Sequence, residues 1–151
     1  MNNIYDALRE SHELQRSLCT RLTRTRAANP QGRQEVLQEL KAELAAHAAA
    51  EERFLYAPIL MDDRGLDASR HALSEHHEID EAIEDMEALD PAGQAWGEHA
   101  KALAHKVRHH LKEEETRFFQ VSGKILSNTE KVRLGRAYRS DYARMLQQLA
   151  A

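Results

Sequence analysis

Residues that break helices cluster in four short stretches of this 151-residue chain. There are only three prolines and six glycines, and the abundant side chains, among them Ala, Leu, Glu and Arg, are good helix formers. Asp90 before Pro91 is typical of a helix N-cap, and Ser127 with Glu130 is typical of a capping box. Between the breakers we predict five helices, at about residues 3–26, 33–60, 68–89, 94–121 and 128–149.

Each predicted helix carries one apolar stripe. In the fourth, Val107 follows Leu103 by four residues and Ala104 by three, and Leu111 follows Val107 by four. Helices of about 25 residues are about 37 Å long, and short connections between them favour antiparallel packing. We therefore predict an all-α chain, with an up-down-up-down antiparallel four-helix bundle in residues 1–126 and an amphipathic fifth helix in residues 127–151. That helix packs either on the bundle or on a partner subunit of a homo-oligomer, and the sequence leaves both open.

Nine histidines are the unusual part of the composition, and four of them belong to a repeat. The pattern His…His-x-x-x-Glu occurs twice, 63 to 64 residues apart, as His12, His47 and Glu51 and then as His76, His110 and Glu114. Each copy spans two predicted helices. A helical hairpin that occurs twice makes a four-helix bundle with approximate two-fold symmetry.

The spacing within each His-x-x-x-Glu pair directs both side chains to one face of a helix. Both pairs lie on or beside the apolar stripe and so face the bundle centre. In the third segment His76 lies near the stripe, whereas His77 points away from it, and His109 and Glu113 are likewise expected to face solvent. A single buried histidine is more often a hydrogen-bonded core residue. Several imidazoles and carboxylates in one core, however, cost on the order of several kcal/mol for each unpaired charge, a cost that bound metal removes.

The donor atoms indicate which metals would bind. Nitrogen and oxygen ligands without thiolate favour iron, manganese or zinc. Two glutamates from facing helices can each bridge two ions, which favours two metals over one. Ferritin-like di-iron proteins use Glu-x-x-His, and none of the nine histidines has a glutamate three residues before it. The sequence therefore predicts a dinuclear site of a different architecture.

Three stretches resemble the motifs of the hemerythrin-like HHE cation-binding domain: residues 4–12, 75–80 and 109–115. With the doubled histidine pattern, the resemblance spans about residues 3–121. It implies a non-haem di-iron centre within the bundle of residues 1–126, with His12, His47, Glu51, His76, His110 and Glu114 as ligands. Members of this family bind or sense oxygen, nitric oxide or iron, or protect against oxidative stress. The resemblance thus implies dioxygen, nitric oxide or small oxidants as partners.

One position departs from the pattern of the oxygen-carrying hemerythrins. They have a second histidine four residues after the third-helix histidine, and Asp80 occupies that place here. An aspartate or a water there changes the charge at the metal and opens its coordination, which argues against reversible oxygen carriage.

Glu52 and Glu115 occupy equivalent positions in the two halves of the repeat, directly after Glu51 and Glu114. They either hydrogen-bond to ligands or lie on the surface.

The sequence favours a non-enzymatic metal-binding protein over other function classes. A di-iron oxidase or peroxidase-like enzyme is the alternative, although the sequence shows no nucleophile or phosphate-binding loop. The histidine repeat disfavours a metal-free interaction module. The net charge of −4 offers no basic field for nucleic acid. The sequence also lacks an apolar run of the roughly 20 residues that a membrane span needs.

The sequence also indicates the cellular compartment. Cys19 is the single cysteine, which excludes an intrachain disulfide and fits a reducing compartment. The first residues show no basic segment followed by an apolar one, as a secretory signal would. We therefore expect a cytoplasmic protein.

Overall fold

The computed structural model describes residues 2–150, so Met1 and Ala151, the outer ends of the two predicted ranges, lie outside it. The described residues contain no strand and form seven α-helices: α1 (Ile4–Arg24), α2 (Pro30–Glu51), α3 (Ala57–Leu60), α4 (Leu66–Glu87), α5 (Gln94–Glu113), α6 (Phe119–Ile125) and α7 (Asn128–Ala150). A π-helical turn, Glu52–Tyr56, joins α2 to α3, and a second one, Glu114–Phe118, joins α5 to α6. The predicted all-α bundle with an additional C-terminal helix is confirmed.

The helix starts follow the side chains that cap them. Asn3 accepts hydrogen bonds from the first turn of α1, and Asp6 accepts one from the Asn3 backbone in return. The predicted capping box at the start of α7 is present, because Ser127 and Glu130 hydrogen-bond to each other's backbone N–H groups.

The predicted N-cap at Asp90 is wrong, since α5 begins at Gln94. Asp90 instead lies in a turn, where its carboxylate accepts from the backbone N–H of Ala92. The carbonyl oxygens of Pro91 and Gly93 accept from the Arg33 guanidinium. The residues before α5 are therefore held in a loop that is tied to the start of α2, and the helix starts only after that loop.

The bundle core consists of two apolar clusters. One includes Leu18, Leu40 and Leu103 and fills the end near the α1–α2 connection. The other includes Leu8 and Leu55 and fills the opposite end, beneath α7. On α1, α2 and α4 the buried histidine comes between residues of the two clusters, and on α5 His110 lies at the end of the first cluster. The four histidines thus form a polar layer across the middle of the bundle.

Helix α7 packs against α1 and α2 of the same chain. Gly135 allows this close approach, because a Cβ at this position would lie 2.7 Å from the carbonyl carbon of Asn3 and 2.8 Å from the backbone nitrogen of Ile4. One turn later, Tyr138 inserts fully into the core. Within residues 2–150, none of the helices combines the length and the apolarity that a bilayer span requires.

Candidate metal centre

The polar layer brings together all six side chains that the sequence singles out. Each of the four long bundle helices contributes one histidine, and the glutamates Glu51 and Glu114 come from the second and fourth. None of the six residues is more than 7% exposed. His77 and His109, beside two of them, have side chains that are 75% and 63% exposed, so the expectation that they face solvent is confirmed.

The four imidazoles direct their Nε2 atoms at the two carboxylates. Two ligand atoms held about 2.1 Å from one ion lie about 3.0–3.4 Å apart in octahedral or tetrahedral geometry. Three distances between Nε2 and a carboxylate oxygen fall in this range: 3.2 Å for His12–Glu114, 3.3 Å for His47–Glu51 and 3.3 Å for His76–Glu51. The fourth, His110–Glu114, is slightly longer at 3.6 Å. The atoms are therefore spaced like the ligands of a common ion.

The ligand atoms divide into two sets that share both carboxylates. One set is His12, His47, Glu51 and Glu114, and the other is Glu51, His76, His110 and Glu114. In each set the donor atoms lie within 4.8 Å of one another. Carboxylates shared between two sets are the arrangement that bridges two metal ions.

Several buried ligand atoms find no hydrogen-bond partner within residues 2–150. They are the Nε2 atoms of His12 and His47, both carboxylate oxygens of Glu51 and one of Glu114. Buried polar atoms are almost always paired, because an unpaired one costs about 1–3 kcal/mol. Cations that bind these atoms would remove that cost, so the residues fit a pair of metal ions.

The Nδ1 atoms of the four imidazoles point outward, and each is hydrogen-bonded to an oxygen. The partners are Glu115 for His12 (2.7 Å), Tyr138 for His47 (2.6 Å), Glu52 for His76 (2.9 Å) and Glu75 for His110 (2.9 Å). An Nδ1–H that donates to oxygen leaves the lone pair on Nε2, the tautomer that a metal ligand needs. The whole set is thus oriented for coordination.

One π-helical turn follows directly on Glu51, and the other begins at Glu114. In such a turn the backbone hydrogen bonds run from i to i+5 instead of i to i+4. This brings Tyr56, five residues after Glu51, back to the face that carries the glutamate. Its hydroxyl donates to Glu114 and lies 3.3 Å from the Nε2 of His76. Tyr56 is therefore a further oxygen within reach of the second ligand set.

Electrostatics favour protons or metal between these groups. Burial lowers the pKa of His12, but the carboxylates of Glu114 and Glu115 outweigh it and raise that pKa to about 9. For His76, burial is likewise outweighed by Glu51 and Glu52, and the pKa rises to about 10. The metal-free centre therefore holds imidazolium protons where metal would otherwise sit.

The two carboxyl groups that the ligand sets share have pKa values that move in opposite directions. Burial raises the pKa of Glu51, but the imidazoles of His47 and His76 more than reverse this and hold it well below its usual value. Burial and the charge of Glu51 raise the pKa of Glu114. The centre thus stabilises the charged form of Glu51 and makes the charged form of Glu114 less favourable.

Comparison with family models decides the family. Residues 3–121 match the family described as hemerythrin HHE cation binding domain. The chain belongs to this family. A cation-binding domain with a buried cluster of histidines and glutamates is a metal-binding domain, and the predicted resemblance is confirmed.

Two known proteins are similar to this hemerythrin HHE chain. A DNA nickase from Nostoc sp. is 26% identical over 147 residues, which are 97% of this chain and 41% of the nickase. The chain thus spans less than half the length of that relative. A crystal structure of a hemerythrin HHE cation binding domain-containing protein from Mycobacterium kansasii has a TM-score of 0.86 at 19% identity. The match covers 98% of this chain and 90% of the Mycobacterium kansasii chain, so the two proteins share the same fold.

The position that distinguishes this HHE chain from the oxygen carriers lies outside both ligand sets. Asp80 is exposed, and no group of potential metal ligands within the described residues includes it. On this side the hydroxyl oxygen of Tyr56, 3.3 Å from the Nε2 of His76, is a candidate for an additional ligand. Tyr56 follows Glu51 by five residues, as Phe119 follows Glu114, so the repeat pairs a tyrosine with a phenylalanine and offers no reason to expect a hydroxyl at the centre.

Two further contacts of the HHE centre were missed at the sequence level. Glu75 immediately precedes His76 and reaches His110 on the neighbouring helix. Tyr138 lies on α7, beyond the residues that the family model matches. The repeat does signal Glu52 and Glu115, and both hydrogen-bond to histidines of the centre. Of their two possible roles, contact with ligands is therefore the one observed.

A second correction concerns Glu113, which was expected to face solvent. Its side chain is only 21% exposed and contacts His71 on α4 at 3.1 Å. These residues line a pocket of about 410 Å³ that extends from Arg64 and Arg117 at the surface to the ligands His110 and Glu114. The pocket thus extends from the surface to two residues of the centre.

Proposed function

We propose that this HHE domain holds two iron ions and binds dioxygen, nitric oxide or another small oxidant, for sensing or for protection against oxidative stress. The observation that carries the proposal is the pair of four-residue ligand sets that share Glu51 and Glu114. Nitrogen- and oxygen-only donors suit iron, with manganese or zinc as competitors. The two ions would supply the redox or ligand-binding chemistry toward small oxidants.

The protein's own residues prepare the centre for this role. Glu51 and Glu114 supply buried negative charge between the two sets. The Nδ1 hydrogen bonds fix each ring, so that an ion meets ligands that are already oriented. The apolar clusters on both sides exclude bulk water, and the pocket beside His110 and Glu114 admits a molecule of a few atoms.

Metal stoichiometry tests the proposal. The protein is loaded anaerobically with Fe²⁺, desalted, and analysed for iron and protein by elemental analysis. We expect two ions per chain, since each ligand set contains two histidines and both carboxylates. One ion or fewer after full loading would refute the dinuclear centre.

Adjacent histidines provide matched variants for the same measurement. His76→Gln removes a ligand of the second set, and we expect it to lose at least one ion. His77→Gln changes the next residue on the same helix, but its side chain is exposed and paired with Glu81 at 2.9 Å. This variant should keep both ions. The reverse result would assign the ligand to His77 instead of His76.

A di-iron oxidase or peroxidase-like enzyme is the second candidate function. The open pocket favours it, because a substrate could reach the centre beside Glu114. Turnover of dioxygen or hydrogen peroxide by the iron-loaded protein distinguishes the two functions. Catalytic consumption of many equivalents per chain supports the enzyme, and stoichiometric binding without turnover supports the binding protein.

The nickase activity of the Nostoc relative does not lead us to propose nucleic acid as a partner. The match covers 41% of that protein, so its activity belongs to a much longer chain. The present chain carries 25 acidic against 21 basic residues, and DNA binding depends on neutralising phosphates with Lys and Arg. We propose small molecules as its ligands and the cytoplasm as its location.

A further inference from the structure

A second group of metal-binding side chains lies at the surface, next to the buried centre. His71 and Glu75 are one turn apart on α4, and Glu113 is the last residue of α5. The Nε2 of His71 lies 3.1 Å from Glu113 Oε1 and 3.7 Å from Glu75 Oε2. One imidazole nitrogen and two carboxylate oxygens thus lie within 4.8 Å of one another. His71 and Glu75 repeat the His-x-x-x-Glu spacing of the buried pairs.

The composition of this group suits a divalent cation. Two carboxylates and a neutral imidazole carry two negative charges at one point. Arg117, which lies 3.8 Å from Glu113, is 80% exposed and offsets little of this charge. The nitrogen–oxygen distances are close to the 3.0–3.4 Å that separates ligands about 2.1 Å from a common ion. The Nε2 of His109, 3.1 Å from the other oxygen of Glu113, is a fourth donor within reach.

The group is connected to the buried centre by the pocket described above. His71, Glu75 and Glu113 line it on the outer side, and Glu114 lines it on the inner side. Glu114 is 3% exposed, and its Oε1 has no hydrogen-bond partner within residues 2–150. A cation that leaves the outer group therefore meets, at the inner end of the same pocket, a carboxylate of the buried centre whose unpaired oxygen faces the Nε2 of His12 at 3.2 Å.

Glu75 belongs to both groups. Its Oε1 accepts a hydrogen bond from the Nδ1 of His110 at 2.9 Å, while its Oε2 faces His71. One carboxylate thus touches the outer group with one oxygen and a ligand of the inner centre with the other. This shared residue places the outer group immediately beside the centre.

We infer that His71, Glu75 and Glu113 form an outer cation site that takes a divalent metal ion from solvent and delivers it through the pocket to the buried centre. The inference rests on the proposed function, since delivery needs a centre that binds metal. It also explains how ligands that are almost fully buried acquire their ions. The outer site remains partly open, with the His71 side chain 58% exposed, and so it binds less tightly than the centre.

Co²⁺ is the probe for the outer site, because its visible absorption reports nitrogen and oxygen coordination. Protein that already holds two irons per chain is titrated with Co²⁺, and the iron content is measured again afterwards. We expect one additional Co²⁺ per chain, absent from His71→Ala. His77→Ala is the matched control, because it removes the histidine of another exposed i, i+4 pair on α4, His77 with Glu81, which lies outside the pocket. It should bind Co²⁺ as the unmodified chain does.

Delivery is tested by the rate at which metal-free protein protects Fe²⁺ from a chromogenic chelator. We expect His71→Ala to slow this uptake by at least about tenfold, because loss of a ligand should weaken the outer site at least as much as loss of a ligand's hydrogen-bond partner, which typically costs about 10–100-fold in metal affinity. The final content of two irons should not change, because His71 touches none of the buried ligands. His77→Ala should take up iron at the unmodified rate.

The outcomes separate the two proposals. If the chain holds two irons but binds no His71-dependent Co²⁺, or if both variants take up iron equally fast, the outer site is refuted and the proposed function stands. If the chain does not hold two irons, the proposed function fails and delivery fails with it. In that case the Co²⁺ titration of the metal-free His71→Ala and His77→Ala variants still decides whether the outer site binds a cation.

Discussion

Replacing Tyr138 with phenylalanine isolates one contact between α7 and the metal centre. The hydroxyl of Tyr138 accepts from the Nδ1 of His47 at 2.6 Å and is 2.7 Å from the hydroxyl of Ser11. The ring is fully buried, and phenylalanine would keep its packing. Ser11 can donate to the carbonyl one turn earlier, so the substitution leaves a single buried donor, the Nδ1–H of His47, without a partner.

The expected magnitudes follow from that unpaired donor. A buried polar group that loses its hydrogen bond costs about 1–3 kcal/mol of the free energy of unfolding. A metal-ligating histidine that loses its outer partner typically lowers metal affinity about 10–100-fold, which is about 1.4–2.7 kcal/mol of binding free energy. We therefore expect Tyr138→Phe to weaken both folding and metal binding, with its effect on binding confined to the ligand set that contains His47.

Urea denaturation of the metal-free protein, followed by circular dichroism, measures the first effect, and competition with a chelator measures the second. Tyr142→Phe is the control, because Tyr142 lies one turn later on α7 and donates to Glu43, which contacts no ligand of the centre through hydrogen bonds. It should lower stability by a similar amount and leave metal affinity unchanged. If Tyr138→Phe alters affinity less than twofold, or if both variants lower it equally, the orienting role of Tyr138 is refuted.

Three further perturbations have expected outcomes. Gly135→Ala places a Cβ 2.8 Å from the α1 backbone and should lower the free energy of unfolding by about 1–3 kcal/mol. Urea titrations measure this change, and a variant as stable as the unmodified chain would contradict the close packing of α7. Removing metal should lower the melting temperature, because binding at a free-metal concentration of about 100 Kd contributes about 2.7 kcal/mol, or about 5–11 °C for a chain of this size. In the metal-free protein the pKa values of His12 and His76 are raised from 6.5 to about 9 and about 10. Their contribution to stability is therefore fully present below pH 6.5 and is lost as the pH rises to 10; a melting temperature that is constant or rises from pH 6.5 to 10 would contradict these shifts.

The sequence predicts the fold well because local signals are sufficient for it. Helix ends are determined by residues within one turn, and the breakers at residues 61–65 and 122–128 lie where the structure ends α3 and α6. The six side chains of the centre could be predicted from the sequence for a similar reason. The i, i+4 spacing of His47 with Glu51 fixes a shared face within one helix, and the repeat extends the argument to His110 and Glu114.

Contacts between helices could not be predicted in the same way. The sequence gives the phase of each helix but not its neighbour's rotation or its vertical offset, so Glu75 could not be placed against His110. The π-helical turns add a second obstacle, because they change the phase after Glu51 and bring Tyr56 to the centre. The N-cap prediction at Asp90 is wrong for a different reason. The local sequence is typical of an N-cap, but Arg33, which is distant in the chain, donates to the carbonyl groups of Pro91 and Gly93.

The repeat also explains why the fifth helix participates in the centre. His12 corresponds to His76, so Ser11 corresponds to Glu75. In the second half the long side chain of Glu75 reaches His110 directly. In the first half the serine is too short to reach the equivalent His47, and the hydroxyl of Tyr138 lies between them and bonds to both. One half thus orients its imidazole with a carboxylate and the other with a phenol hydroxyl. The two ligand sets are alike in their donor atoms, but the first depends on the packing of α7 and the second does not.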